Sequence, residues 1–392
     1  MDLGTTGSTV MEPQRHPTPA PGFASAGALL TFRSPATSLA RGASTWPAAA
    51  LRAKANQHLV EALGIHNSLT TDNLATHKSF LRQATHRLKR MATPEHWRQL
   101  FVHCSGVLQQ GIVDYQDNGH LPLAGLARSI CLQSVMCNLF QVTRLAKEDV
   151  DTVCDEINKQ WVLSKEAVGT IQQSVLLNNA LARLLQHGDG PDMSPQQALE
   201  LILPAYEALW RVVLLTYVTV CFRSDGAGYK QLQRVDVPSV LGTVCAEDKE
   251  LLKIAKEGLR LFPSSKSIYR ARSSLLDDTT TVVANVCALH RDKEIWGSDA
   301  LLFRPDRFND TGQALQREAY LPFGLPPHMC PAYNGFGERM IVLLVALLCT
   351  HLGQEEASIV FNNADLDDNM ETELPTGRCD MEDWELTLKK GQ

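Results

Sequence analysis

The stretch Leu321-Pro322-Phe323-Gly324-Leu325-Pro326-Pro327-His328-Met329-Cys330-Pro331-Ala332 constrains this chain more than any other. Proline fixes φ and removes a backbone donor, so Pro326, Pro327 and Pro331 stiffen the chain around Cys330 and take three N–H donors from it. The segment must be a stiff loop that presents one thiol. Met340 to Cys349 follows, an apolar run between Arg339 and Thr350, and reads as a buried helix starting just after the loop. A helix N-terminus stabilises negative charge, which favours a thiolate at Cys330. A cysteine chosen blind is more often a buried structural thiol, since free Cys is among the most buried residue types. That plain alternative weakens only if other segments point to the same loop.

Two segments do. From Glu250 to Pro263, apolar Leu251, Leu252, Ile254, Ala255, Leu259 and Leu261 alternate with charges in a helical pattern closed by Pro263. Glu257 and Arg260 share one face of that helix and can pair, although an exposed pair contributes little. Further on come Ala288-Leu289-His290-Arg291-Asp292 and Phe303-Arg304-Pro305-Asp306-Arg307-Phe308. Two guanidiniums around one carboxylate make charge-assisted bonds that can lock a core. In this order the three segments resemble the cytochrome P-450 family: its ExxR helix, its meander ending in FxPERF, and its haem-ligand loop FxxGxRxCxG. Phe323 and Cys330 match the loop, His328 stands where Arg is usual, and Ala332 and Pro326 replace glycines. Asp306 replaces the usual Glu. The resemblance covers about residue 55 to the C-terminus and is specific after residue 240.

The resemblance implies a mainly α, cytochrome P-450-like helical fold with small β-sheets. Haem b would lie between a long distal helix and the helix after the cysteine loop. Cys330 would be the axial iron ligand, and a thiolate in that position favours O–O cleavage. Phe323 would pack against the loop. His328, Arg270 and Arg272 would reach the haem propionates, and Glu257, Arg260 and Arg307 would be scaffold. Thr76 to Arg90 reads on charge alone as a basic solvated helix face. As the family's C-helix it would offer His77, Arg82, His86 and Arg90 to the propionates, with His86 and Arg90 at the usual spacing of four. Leu199 to Phe222 would be the distal helix. There Glu207 matches the family's acid and would deliver protons, while Ala208 replaces the usual Thr. Read without the family, Glu207 is equally well a surface helix carboxylate.

The implied activity is monooxygenation of an apolar small-molecule substrate, with NADPH electrons arriving through a reductase. The Cys-Pro-Ala opening of the last helix looks like filamentous-fungal branches that modify secondary metabolites. Without the distal Thr, two alternatives stay open: a haem-thiolate isomerase, dehydratase or peroxide-driven enzyme, or a decayed haem-binding relative without turnover.

Composition agrees with a globular enzyme: 392 residues, 44% hydrophobic and 20% charged, can bury a large core. A net charge of −6 gives no footprint for a nucleic-acid partner. Ten cysteines without a CxxC pair fit neither a zinc site nor a disulfide scaffold and suggest a reducing compartment. No apolar run approaches the ~20 residues of a spanning helix. The expectation is an intracellular monomer without a transmembrane anchor, cytoplasmic or loosely associated with the endoplasmic reticulum. Residues 1–54 read as a low-complexity, disordered N-terminus, and 55–392 as the catalytic domain. Lys165 to Leu185 reads as one amphipathic helix, and Trp384 to Leu388 as a strand.

Overall fold

Helix Pro195–Val218 is apolar on nearly every side, and the rest of the fold wraps around it. Ser194 and Gln197 form a reciprocal capping box at its start, and Pro195 occupies the first turn, where the missing N–H costs nothing. Pro204 lies inside the helix without ending it. The helix runs on into a π-turn, Thr219–Arg223, where the Thr219 hydroxyl donates to the Leu215 carbonyl at 2.7 Å. Helices Leu123–Phe140, Val175–Leu185, Ala246–Leu261 and Phe336–Leu352 pack against it. The computed structural model describes residues 46–90, 93–115, 120–166, 173–186, 193–273, 279–309, 314–326 and 328–389.

Two helical spans, Leu123–Phe140 and Pro195–Arg223, are long and apolar enough to cross a membrane by length and composition. This corrects the expectation that no segment reaches that length. Yet 78% of each span is buried inside the fold, so their apolar surface is already satisfied by protein.

Five short strands form two antiparallel sheets among the described residues: β1 (His120–Pro122), β2 (Ser267–Ser273), β3 (Thr279–Asn285), β4 (Ala357–Val360) and β5 (Glu385–Leu388). β2 and β3 pair from Ser267 opposite Asn285 to Ser273 opposite Thr279, and β5 lies between β1 and β4. The expected mainly helical fold with small sheets is what the chain adopts. The single helix expected over Lys165 to Leu185 is instead the end of Lys147–Glu166 and a second helix, Val175–Leu185. Ser174 starts the second by accepting from the Leu177 N–H at 3.2 Å. Residues 1–45 lie outside the described residues. Trp46–Ala55, at the end of the stretch 1–54 expected to be disordered, is helical.

Gly258 sets how closely two core helices approach. A Cβ placed on it would sit 2.2 Å from the Thr216 hydroxyl oxygen, and that buried hydroxyl has no hydrogen-bond partner. Gly258→Ala is therefore expected to cost about 1–3 kcal/mol by overpacking. Thr216→Ala alone should cost less, because it removes an unsatisfied polar atom, and the double variant should recover most of the loss. Urea denaturation of all four proteins checks this. Additive losses would show that the close approach is not what constrains Gly258.

Candidate active site around Cys330

The site is built on a buried ion pair. Arg260 grips Glu257 with both arms of its guanidinium, Nε to Oε2 and Nη2 to Oε1, each at 2.7 Å. Both side chains have no exposed surface. Arg307 joins at 3.3 Å from Glu257 Oε1, and the Arg304 backbone N–H donates to the same oxygen at 2.9 Å. The remaining guanidinium donors reach carbonyls: Arg260 to His290, Ala300 and Leu302, and Arg307 to Trp296 and Asp299. The expected three-residue cluster therefore forms, and it fastens the segment 290–307 to helix Ala246–Leu261.

His290 carries that order to the cysteine loop. Its Nε2 accepts from the Leu321 N–H at 2.9 Å, which leaves Nδ1 to donate to the Arg260 carbonyl at 3.1 Å. Burial pushes its pKa down to about 3, so the ring stays neutral in this tautomer. The sequence contained this residue in Ala288-Leu289-His290, but its role depends on contacts about thirty residues away in both directions.

From Leu321 the loop turns tightly. Gly324, at φ +73°, donates to the Leu321 carbonyl at 3.1 Å, a left-handed position that favours glycine. His328 N–H donates to Leu325 O at 3.1 Å, and Cys330 N–H closes the loop on Phe323 O at 2.9 Å. The Phe323 ring lies over Gly337, where a Cβ would come within 2.9 Å of it. A 3-10 turn, Pro331–Tyr333, separates Cys330 from helix Phe336–Leu352. The helix expected over Met340 to Cys349 lies within Phe336–Leu352. Burial pushes the Cys330 thiol up, and a backbone bond from Ala332 and the charge of Arg52 pull it back.

Arg52 was not foreseen. It sits on the helix Trp46–Ala55, which packs on β2, and its own pKa is lowered by burial to about 10. Its Nη1 donates to Ser68 Oγ at 3.3 Å, Ser68 Oγ meets His77 Nδ1 at 2.7 Å, and the His77 ring stands edge-on to His328 at 4.7 Å. Three basic groups therefore gather beside the cysteine. Nothing in the sequence around Arg52 marks it, because its partners come from separate segments.

The other basic-helix candidates part from His77. His77 is buried, whereas Arg82, His86 and Arg90 are exposed. The structure does not bring those three to the loop, because successive residues turn by about 100° on a helix. Arg270 and Arg272 lie on β2, opposite Val282 and Thr280. Their side chains fall outside the described residues.

Helix Pro195–Val218 supplies an open strip. Ala208 is exposed and Pro204, Ala205 and Arg211 are half-buried, although Tyr206, Leu209 and Trp210 around them are buried. Glu207 is not on the surface. It is 6% exposed and forms a two-pronged ion pair with Arg378, whose Nη1 lies 3.2 Å from Oε1. Arg378 also donates to Asn158 Oδ1 at 2.9 Å and stacks on Trp161 at 4.6 Å. Arg378 was not among the sequence candidates, and it holds both carboxylate oxygens.

Residues 251–351 match the cytochrome P450 family. The chain is 30% identical over 132 residues to putative cytochrome P450 CYP13A4 of Caenorhabditis elegans, covering 31% of this chain and 23% of that protein. It is 36% identical over 109 residues to cytochrome P450 714A2 of Arabidopsis thaliana, covering 26% and 21%. It is 42% identical over 82 residues to a cytochrome P450 monooxygenase of Gibberella zeae, covering 20% and 16%. These matches span a quarter or less of each curated relative's length.

Proposed function

We propose, from the match of residues 251–351 to the cytochrome P450 family, whose cofactor is haem b with NADPH electrons supplied through a reductase, that this chain is a haem-thiolate monooxygenase in which Cys330 would hold the haem iron. The donor set fits the cofactor: one thiol at the end of a fastened loop, with Arg52, His77 and His328 beside it. Haem supplies iron chemistry that a thiolate ligand tunes toward O–O cleavage.

In this reading the chain's own residues bind and orient. Arg52, His77 and His328 would hold the two negative propionates, with Arg270 and Arg272 as further candidates from β2. Arg82, His86 and Arg90 remain candidates only if helix Leu74–Arg90 turns from its present orientation. Phe323 fixes the loop against Gly337. Glu257, Arg260 and Arg307 hold the loop's base through His290. The strip at Pro204, Ala205 and Ala208 is the wall for an organic substrate with an apolar body. The observation that carries the reading is the Cys330 loop, closed on Phe323 and tied through Leu321 to the buried ion-pair cluster.

Glu207 is the candidate to hold a proton near the reacting atoms. Both its oxygens are engaged by Arg378, and Ala208 brings no hydroxyl. Those two facts favour a second reading, in which turnover as an isomerase, dehydratase or peroxide-driven enzyme needs no reductase.

The reduced, carbon-monoxide-bound difference spectrum tests the first reading. A strongly red-shifted Soret band is expected in the wild type and should vanish in Cys330→Ala. No haem uptake, or a spectrum that the substitution leaves unchanged, overturns the assignment. Once ligation is established, substrate turnover that proceeds without NADPH and reductase would select the second reading.

A further inference from the structure

We infer that the end of the open strip on helix Pro195–Val218 is an oxyanion site, and that the substrate carries a carboxylate or phosphate headgroup on its apolar body. The inference rests on the proposed reading of that helix as the wall of the reaction site, and it names the substrate class.

Arg211 lies three residues beyond Ala208 on the same strip, about 4.5 Å along the helix. A cavity of about 60 Å³ opens beside it, several times the ~10–15 Å³ that one water needs. That is room for an oxyanion group rather than for a whole organic molecule. Arg211, Lys266, Arg291, Ser264 and Thr376 supply its polar lining. Leu215, Leu261, Phe262 and Pro263 line the same space, so an apolar wall adjoins the charged end.

The charges around this cavity do not balance. Arg378 is taken by Glu207, and Arg291 by Glu373 at 2.7 Å and the Leu261 carbonyl at 2.8 Å. Arg211, Lys266 and Lys165 have no carboxylate at ion-pair distance among the described residues. Lys266 reaches only Thr376, at 3.3 Å from Oγ1 and 3.4 Å from the carbonyl. Lys165 lies over the Trp161 ring at 5.7 Å. Two cations of the lining, Arg211 and Lys266, are thus left over at a partly enclosed place, with Lys165 close enough to add its charge. Burial lowers the pKa of Lys165 and Lys266, and the neighbouring guanidiniums lower them further. Arg211 is lowered mainly by burial. Gathering like charges out of water is costly unless an anion relieves them. An oxyanion there would gain a guanidinium fork from Arg211, an ammonium from Lys266, and the Ser264 and Thr376 hydroxyls.

Isothermal titration of the 392-residue chain tests this, with dodecanoate and dodecyl phosphate below their micelle concentrations and dodecanol below its solubility limit as probes. Both anions are expected to bind at least about tenfold more tightly than the alcohol. The preference should shrink in 0.5 M salt and fall below about threefold in the double variant Arg211→Gln/Lys266→Gln. Arg211→Lys/Lys266→Arg, which keeps the charges, should retain most of it and serves as the folding control. The ratio of dodecanoate to dodecyl phosphate decides between carboxylate and phosphate. Cys330→Ala should keep the anion preference, so failure of haem ligation leaves this readout intact. Equal binding of dodecanol, a preference that survives in the doubly neutral variant, or no binding of any probe overturns the inference.

Discussion

Arg260→Ala is expected to remove about 3–5 kcal/mol of folding stability, a large part of the about 5–15 kcal/mol that a folded protein possesses. The guanidinium bonds both oxygens of Glu257 at 2.7 Å and the carbonyls of His290 and Ala300 at 2.6 Å. Removing it strands a carboxylate with no exposed surface on Arg307 and one backbone N–H. It also leaves buried carbonyls without donors, each costing about 1–3 kcal/mol. Arg260→Lys should recover little, because a point charge cannot make two parallel bonds and also reach the carbonyls. Equilibrium urea denaturation gives the number. A loss under about 1 kcal/mol for the alanine variant would mean that the cluster is not what fastens segment 290–307. The effect should also reach the cysteine loop, since His290 links the Arg260 carbonyl to Leu321.

What the sequence revealed about this site depended on how local each contact is. Glu257 and Arg260 are three residues apart, and a helical pattern is enough to pair them. Cys330 was legible because its loop, from Phe323 to Ala332, is one contiguous stretch that resembles the family's ligand loop. Glu207 and Arg378 lie 171 residues apart, and no spacing rule joins them. Glu207 therefore read as free for proton transfer or as a surface group, whereas the fold buries it in an ion pair. Arg52 and Arg378 were missed for the same reason. The basic helix Leu74–Arg90 divides between its two readings: His77 is buried, and Arg82, His86 and Arg90 lie on a solvated face. With about 100° per residue, His86 stands opposite His77, so a helix that buries His77 must expose His86. Lys165 to Leu185 read as a single helix because the apolar period is present in both Lys147–Glu166 and Val175–Leu185, and the Ser174 cap that starts the second is a single residue.

Glu338 gives the second large effect, and it depends on pH. It lies in the first turn of helix Phe336–Leu352, 6% exposed, with its Oε2 unpartnered. Burial raises its pKa from 4.5 to about 7, against weaker pulls from its own and the Gly335 N–H and from Lys256 and Arg339. Arg339 is largely spent on Asp248, at 3.0 and 2.6 Å. The folded protein thus holds a proton that the unfolded chain releases between about pH 4.5 and 7. Over that window the folded state binds more protons, so this residue's contribution falls as pH rises, by about 3 kcal/mol in all. Buried His290 acts in the opposite direction. Its folded pKa of about 3 makes the unfolded chain the stronger proton binder up to about pH 6.5, so its contribution rises with pH. The wild-type profile alone therefore mixes both slopes, and the difference between wild type and Glu338→Gln isolates one. That variant should match the wild type near pH 5 and exceed it by about 2–3 kcal/mol at pH 8, as measured by urea denaturation at each pH. Parallel profiles from pH 5 to 8 would mean that Glu338 is ionised in the fold and that water reaches its unpartnered oxygen.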